Sequence, residues 1–308
     1  MIQLQNVTKL YGRVIGVNDI TLSLEAGAYG LLGPNGSGKT TLLNLITGQL
    51  KPTIGSVKVL GRSPRNNAKL SRRIGYCPDG EGLYAAVSGY EWVRYLLQLQ
   101  GLSSAQATRA AEKSLEMVGM REAMHRPIAD YSRGMRQRTK LAQAVAHDPE
   151  FLILDEPFNG LDPVARHKMT VTLHDWIEQG KSLLLASHIL HEVESITRSF
   201  LFICGGRLLA SGTAEEVHEM LVDLPNEITI RCNQPHQLAT LLIQQKVTDS
   251  LKIDGGLITA ATRHTSQFIE GLPEWIAHTD IEISEIRSAD ESLRALFNSL
   301  LKIHRGES

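Results

Sequence analysis

The chain has 308 residues, more than one ordinary domain needs and short for three. Hydrophobic residues make up 42% and charged residues 21%, the balance of a soluble globular protein rather than a disordered one. Lys and Arg number 32 against 33 Asp and Glu, so no overall positive charge points to nucleic acid.

The first six residues lack the basic-then-apolar architecture of a secretion signal. Residues 2–24 alternate apolar and polar positions around a turn at Tyr11-Gly12, which predicts an antiparallel strand pair. An apolar run ending Leu31-Leu32 predicts a strand, and Leu42-Leu43-Asn44-Leu45-Ile46 predicts a helix. Between them stands Gly33-Pro34-Asn35-Gly36-Ser37-Gly38-Lys39-Thr40, which fills the phosphate-binding loop pattern in the strand–loop–helix context that the pattern requires. Its glycines let backbone N–H groups turn inward around an anion, and the helix N-terminus adds its positive end. Lys39 can reach β- and γ-phosphates, the Thr40 hydroxyl suits Mg2+, and Thr41 follows as a further nucleotide-binding position.

Short strands are expected at 57–61 and at 74–78, the second stopped by Pro78. From about 88 the period becomes helical. Ser88 with Glu91 makes a capping box, and Trp92, Tyr95, Leu96 and Leu99 form the expected apolar face of a helix ended by Gly101. A second helix is expected over 104–118 with Gly119 as its stop, and a third from Tyr131 to near Pro149. Residues 151–154 and 182–186 are continuous apolar runs, as buried parallel strands require. Asp155 and Glu156 end the first of these, where an open parallel sheet binds its ligands. Asp155 can hold Mg2+, and Glu156 can polarise the water that attacks a γ-phosphate.

After about 220 the composition changes. Strands at 227–232, 250–254, 257–262 and 281–286, with helices at 236–246 and 265–277, give the β-α-β-β-α-β order of a ferredoxin-like domain. Gly255-Gly256 is the expected hairpin turn. A last helix is expected from a second capping box, Ser288 with Glu291, with an apolar face of Leu293, Leu296, Phe297, Leu300 and Leu301. The three cysteines, Cys77, Cys204 and Cys232, have no metal-ligand spacing and read as free thiols of a reducing cytosol. No apolar run approaches the roughly 20 residues needed to cross a bilayer, so a membrane role would come through a separate chain.

The segment Tyr131-Ser132-Arg133-Gly134-Met135 opens a helix and, alone, reads equally well as an ordinary capped helix. In order with the phosphate loop, Asp155-Glu156, Asn159-Gly160-Leu161-Asp162 and Ser187-His188, it resembles the signature of ATP-binding cassette (ABC) ATPases, which reads Leu-Ser-Gly-Gly-Gln. Ser132 and Gly134 are kept; Tyr131, Arg133 and Met135 depart and resemble a Tyr-Ser-Lys-Gly-Met variant of bacterial exporter ATPases. The resemblance covers roughly residues 1–220. It implies that Ser132 and Gly134 contact the γ-phosphate of ATP held by an opposite protomer. It also implies that Tyr11 stacks on adenine, that His188 senses the γ-phosphate, and that Asp162 belongs to a loop crossing the dimer interface. Tyr11 can equally be a plain strand-end tyrosine. Asp79 stands where the family usually has a glutamine that touches metal and water, in a loop that contacts the membrane subunit. An ionised aspartate cannot donate the glutamine's hydrogen bond.

The expected fold class is thus α/β. It comprises an ABC cassette at 1–220, with a mixed sheet core, an antiparallel β subdomain and a helical insert near 81–147. A small α+β domain follows at 221–308, with a regulatory or dimerising role. The expected activity is ATP hydrolysis with ATP and Mg2+, in a homodimer or paired cassette. That pair would lie on the inner face of the cell membrane through a separate permease, without nucleic acid. The alternative is a soluble ABC ATPase acting on ribosomes or nucleic acid.

Overall fold

The computed structural model describes residues 1–80, 82–220 and 226–288. Strand β1 (Ile2–Tyr11) pairs antiparallel with β2 (Val14–Leu24), and Gly12 at the turn takes a φ of 61° that glycine accommodates without penalty. Strand β3 (Ala28–Leu32) leads through the phosphate loop into α1 (Lys39–Ile46). β4 (Ile54–Val59) pairs antiparallel with the other edge of β1, giving a three-stranded sheet in the order β2-β1-β4. The alternation expected over residues 2–24 holds at the open end of the pair, where Ile2, Leu4, Ile20 and Leu22 are buried between exposed Gln3, Gln5, Asp19, Thr21 and Ser23. It breaks toward the turn, where Val7 and Thr8 are both buried beside register shifts and Val14 and Ile15 are both exposed.

The short helix α2 (Ala68–Ser71) precedes β5 (Ile74–Cys77). Then come the helices α3 (Gly89–Leu99), α4 (Ser104–Met117) and α5 (Arg133–Val145). The Ser88–Glu91 capping box forms as expected, and Ser103 with Gln106 makes another at the start of α4. The expected face of α3 is corrected. Tyr95 and Leu99 are exposed, Trp92 and Leu96 half-buried, and the buried residues are Val93 and Leu97. Two neighbouring stripes of this helix are apolar, and packing with Ala107, Ala111, Leu115, Ile128 and Ala142 selects the one the periodicity did not.

The chain continues through β6 (Phe151–Asp155), α6 (Pro163–Glu178), β7 (Ser182–Ser187), α7 (Leu190–Glu194), β8 (Ser199–Cys204) and β9 (Arg207–Thr213). The six-stranded sheet runs β5-β6-β7-β3-β8-β9 and is parallel except for β9. β6 and β7 are buried along their whole length. Their register sets Asp155 beside Ala186, and Leu32 of β3 beside Ser187. The segments that follow β3, β6 and β7 therefore leave the sheet at one edge, the ligand edge of an open parallel sheet.

Two compact units divide the chain, Met1–Thr213 and Ala214–Ser308. Helix α8 (Ala214–Met220) is grouped with the second unit, whereas the sequence suggested a division at 220. That unit contains β10 (Asn226–Cys232), α9 (Pro235–Gln244), β11 (Ser250–Asp254), β12 (Leu257–Thr262), α10 (Thr265–Ile276) and β13 (Ile283–Ser288). Its sheet runs β11-β12-β10-β13 with every neighbour antiparallel, and it buries a core of its own around Ile228, Ile230, Leu242, Ile258 and Phe268. The expected last helix, with Leu293, Leu296, Phe297, Leu300 and Leu301, lies outside the described residues.

Candidate functional site

The phosphate loop closes tightly on its surroundings. Gly36 and Gly38 have φ of 78° and 106°, values that let the loop turn its backbone inward. Gly33 and Gly38 admit no side chain: a Cβ there would lie 2.3 Å from the Ile203 carbonyl oxygen and 2.5 Å from that of Gly16. The Ser37 N–H donates to the Pro34 carbonyl at 3.1 Å, and the Ser37 carbonyl accepts the Gly206 N–H at 2.9 Å. Lys39 is buried at the first position of α1. Its ammonium donates to the carbonyls of Gly33 at 2.8 Å and Pro34 at 3.3 Å, and stands 3.6 Å from Glu156 Oε1.

A cavity of about 530 Å3 opens at this loop. It is lined from the loop by Asn35, Gly36, Gly38, Lys39, Thr40 and Thr41, and from the following segments by Asp79, Asp155, Glu156, Asn159 and His188. Tyr11 closes one side together with Val14, Ile15 and Gly16. Tyr11 is 44% exposed, and its hydroxyl lies 3.5 Å from Thr41 Oγ1, so its ring is available for stacking against a planar base. Val14, Ile15 and Asn159 join the cavity wall without any ligand-binding pattern in the sequence that marks them for it. In sequence the first two are merely alternating strand residues.

Asp155 is fully buried. Its Oδ2 accepts the Thr40 hydroxyl at 2.7 Å, while its Oδ1 is buried with no partner among the described groups. Burial pushes its pKa up from 3.8 to about 6. The Thr40 hydrogen bond pulls the other way, and the negative charges of Asp79 and Glu156 add to the rise. Glu156 has a φ of 49°, a left-handed conformation uncommon outside glycine, at the sharp exit from β6. Its N–H bonds the Ala186 carbonyl at 2.9 Å, and its Oε2 lies 2.9 Å from His188 Nδ1. An ionised Glu156 accepts from a protonated Nδ1, which leaves Nε2 as the His188 atom free for a phosphate. Buried Gln137, absent from the sequence-derived set, donates to the Pro157 carbonyl at 2.9 Å and supports this turn from α5.

Other candidates lie apart from that cavity. Ser132 caps α5, accepting the Met135 N–H at 3.2 Å, and neither it nor Gly134 lines the cavity of its own chain. Gly134 packs on the 159–162 loop instead: a Cβ would stand 2.9 Å from the Gly160 carbonyl oxygen. Asp162 caps α6 by accepting the Ala165 N–H at 2.8 Å.

This arrangement is that of a nucleoside triphosphatase, and the comparisons specify the family. The model of the family described as ABC transporter matches residues 17–159. The bacitracin transport ATP-binding protein BcrA of Enterococcus faecalis is 32% identical over 306 residues, which is 98% of this chain and 96% of that protein. The chain belongs to the ABC transporter ATP-binding proteins. The linearmycin resistance ATP-binding protein LnrL of Bacillus subtilis is 31% identical, over 97% of this chain and 98% of its own length. A solved structure described as the ATP binding subunit of an ABC transporter is 27% identical with a TM-score of 0.66, covering 72% of this chain and 93% of that one. The fold also matches a dimeric post-hydrolysis cassette bound to ADP and Pi, with a TM-score of 0.64 at 24% identity, covering 69% of this chain and 98% of that one. This ABC protein is therefore an ATPase with the cassette fold.

No group of three or more His, Cys, Asp or Glu among the described residues could cage a metal. The donors do fit a magnesium site that is completed by phosphate oxygens. Thr40 offers a hydroxyl, and the unpartnered Asp155 Oδ1 lacks the contact that a cation would give it.

The raised pKa of Asp155 has a consequence for stability. The folded chain holds this proton more tightly than the unfolded one, so ionisation destabilises the fold as pH rises from about 4 to about 6. Asp155→Asn removes that penalty. Without nucleotide or metal, the variant should be more stable than the wild type above pH 7 by on the order of 1–3 kcal/mol, with the gap closing toward pH 4. Paired thermal melts at pH 4.5 and 8 check this; a gap independent of pH would contradict it.

Proposed function

We propose that this chain is the ATP-binding and ATP-hydrolysing subunit of an exporter, working as a head-to-tail pair of cassettes on separate membrane-spanning chains. The observation that carries the reading is the convergence of Lys39, Thr40, Asp155, Glu156 and His188 on one cavity, from segments that follow three adjacent parallel strands. The α1 N-terminus, the loop from Gly33 to Gly38 and Lys39 hold the phosphates, and Tyr11 stacks on the adenine with Val14 and Ile15 beside it. Thr40 and Asp155 hold Mg2+, with Asp79 facing the same space, and the ion offsets phosphate charge in the site. Glu156 takes the proton of the attacking water, and His188 orients Glu156 through Nδ1.

Ser132 and Gly134 complete the site of the opposite protomer. Their absence from their own chain's cavity and the exposed N-terminus of α5 support this, as does the dimeric state in which a cassette of the same fold was solved. ATP that binds the closed pair more tightly than the open one supplies the work of closure. Export is favoured by the relatives, which are named for bacitracin transport, linearmycin resistance and, in Cupriavidus metallidurans, Nod factor export. The chain would sit peripherally on the inner face of the membrane, and no nucleic-acid partner is proposed. Among the described residues no helix is long and apolar enough to cross a membrane.

For the permease contact we assign the groove of about 420 Å3 between β5 and α3, lined by Ile74, Tyr76, Leu96 and Leu99 among others. It continues into the loop that carries Asp79 through Pro78, and Leu99 is 66% exposed at its rim. An amphipathic segment of the membrane chain fits its apolar floor. The unit that begins at Ala214 is assigned to regulation or self-association, because it buries its own core and holds none of the cavity residues.

Three outcomes test these assignments. Glu156→Gln should bind ATP normally, hydrolyse it at least roughly a hundredfold more slowly, and accumulate as an ATP-bound dimer in sedimentation; wild-type turnover would remove Glu156 from the role of base. Leu99→Glu should leave ATP binding by the purified chain unchanged while reducing recovery of the permease in detergent co-purification, and full recovery would rule out the groove. Deleting 221–308 should preserve ATP affinity in calorimetry while weakening self-association or permease coupling; a folded truncation unable to bind ATP would refute separability.

A further inference from the structure

Beside Glu156 lies a second buried carboxylate with no part in the proposed hydrolysis. Glu192, on α7, is 4% exposed. Its Oε1 accepts from Arg166 Nη1 of α6 at 2.5 Å, and its Oε2 accepts the Ser187 hydroxyl at 2.8 Å. The same hydroxyl oxygen accepts the Ile189 N–H at 3.0 Å and stands 3.3 Å from Glu156 Oε2. The Arg166 guanidinium also lies over the Phe158 ring, 5.9 Å from its centroid, within the segment that leaves β6 through Glu156.

We propose that Arg166, Glu192 and Ser187 are positioning residues that fix the Glu156 carboxylate and tie it to α6. The inference rests on the assignment of Glu156 as the base.

The physical argument starts from the single hydroxyl between two carboxylates. Ser187 has one proton to donate. The shorter contact, and the carboxylate anchored by Arg166, direct that proton to Glu192. Arg166 neutralises Glu192, which would otherwise set a second uncompensated negative charge beside Glu156. Ser187, fully buried and held by Glu192 and the Ile189 N–H, then presents a fixed wall to one side of the Glu156 carboxylate. Lys39 and the partly exposed His188 contact its remaining surface. Lys39 is likewise held, by the Gly33 and Pro34 carbonyls, so Ser187 and Lys39 are the two anchored neighbours, one beside each oxygen of Glu156. The Arg166 N–H bonds the Asp162 carbonyl at 2.9 Å in the first turn of α6. A displacement of the 159–162 loop that carries α6 with it would therefore act on Glu192, and through Ser187 on the base.

The test separates positioning from mere stability. A buried ion pair that only supports the fold can be replaced by packed apolar side chains with little loss. In the full-length chain, the double variant Arg166→Met/Glu192→Leu should keep its ATP affinity in calorimetry and a KM within about twofold of wild type. Its kcat should fall roughly tenfold or more, because a base carboxylate that loses its fixed wall is misplaced relative to the attacking water. Ser187→Ala should show the same split between kcat and KM, and it decides alone if the double variant does not fold. Wild-type kcat in either variant overturns the proposal. Glu156→Gln, measured alongside, keeps the two readings apart. If it hydrolyses ATP normally, the base assignment fails whatever Ser187 does. If it is inactive while Ser187→Ala is fully active, only the positioning chain fails.

Discussion

Asp155 and Glu156 are taken out of water at the end of β6, and much of the surrounding structure offsets the cost of burying them. An isolated carboxylate in a protein interior is stabilised only by hydrogen bonds, opposite charge or a cation. Three of the four carboxylate oxygens here have a specific answer. Thr40 bonds one oxygen of Asp155, Lys39 and His188 face the two oxygens of Glu156, and Ser187 packs against the second of these. Asp155 Oδ1 has no such partner, which is the strongest local argument for a divalent cation. The phosphate loop, β7 and α7 are held in place by the same requirement.

The departures from the family signature become intelligible in this frame. Tyr131 replaces a leucine yet is almost fully buried, because its hydroxyl donates to the Ala123 carbonyl at 2.8 Å and accepts the Gly89 N–H at 3.3 Å. Gly134 faces the Gly160 carbonyl too closely for any side chain, whereas the aliphatic part of Arg133 covers the position where a Cβ on Gly160 would stand. Residue 134 is thus sterically fixed as glycine, and residue 133 is free to carry a long side chain. Asp79 is exposed at the cavity, so its charge is solvated rather than buried, and it still contributes to the raised pKa of Asp155.

Much of the fold was legible because its signals are local. The hairpin of β11 and β12 falls on the expected residues, since Gly255 supplies the left-handed turn between two alternating runs. The capping box of α3 is likewise a matter of residues three apart. The buried face of that helix was not legible, because two of its stripes are apolar and only α4 and α5 choose between them. Helix α6 leaves no such local signal: it carries no strong amphipathic pattern and is buried only at Met169, Leu173 and Trp176.

The phosphate loop, the two carboxylates after a buried strand and the order of the family motifs were determined by sequence alone, because each is a short run whose chemistry and spacing are self-contained. Tertiary structure decided which side chains meet. Gln137 reaches the turn after Glu156, Tyr131 fills the core of the helical insert, and Arg166, Glu192 and Ser187 line up behind Glu156. Most of these contacts join different elements, Gln137 with Pro157 and Arg166 with Glu192 among them. Those around Glu156 depend on the parallel register of β3, β6 and β7, which no local period encodes, because register is set by the simultaneous packing of every strand against its neighbours.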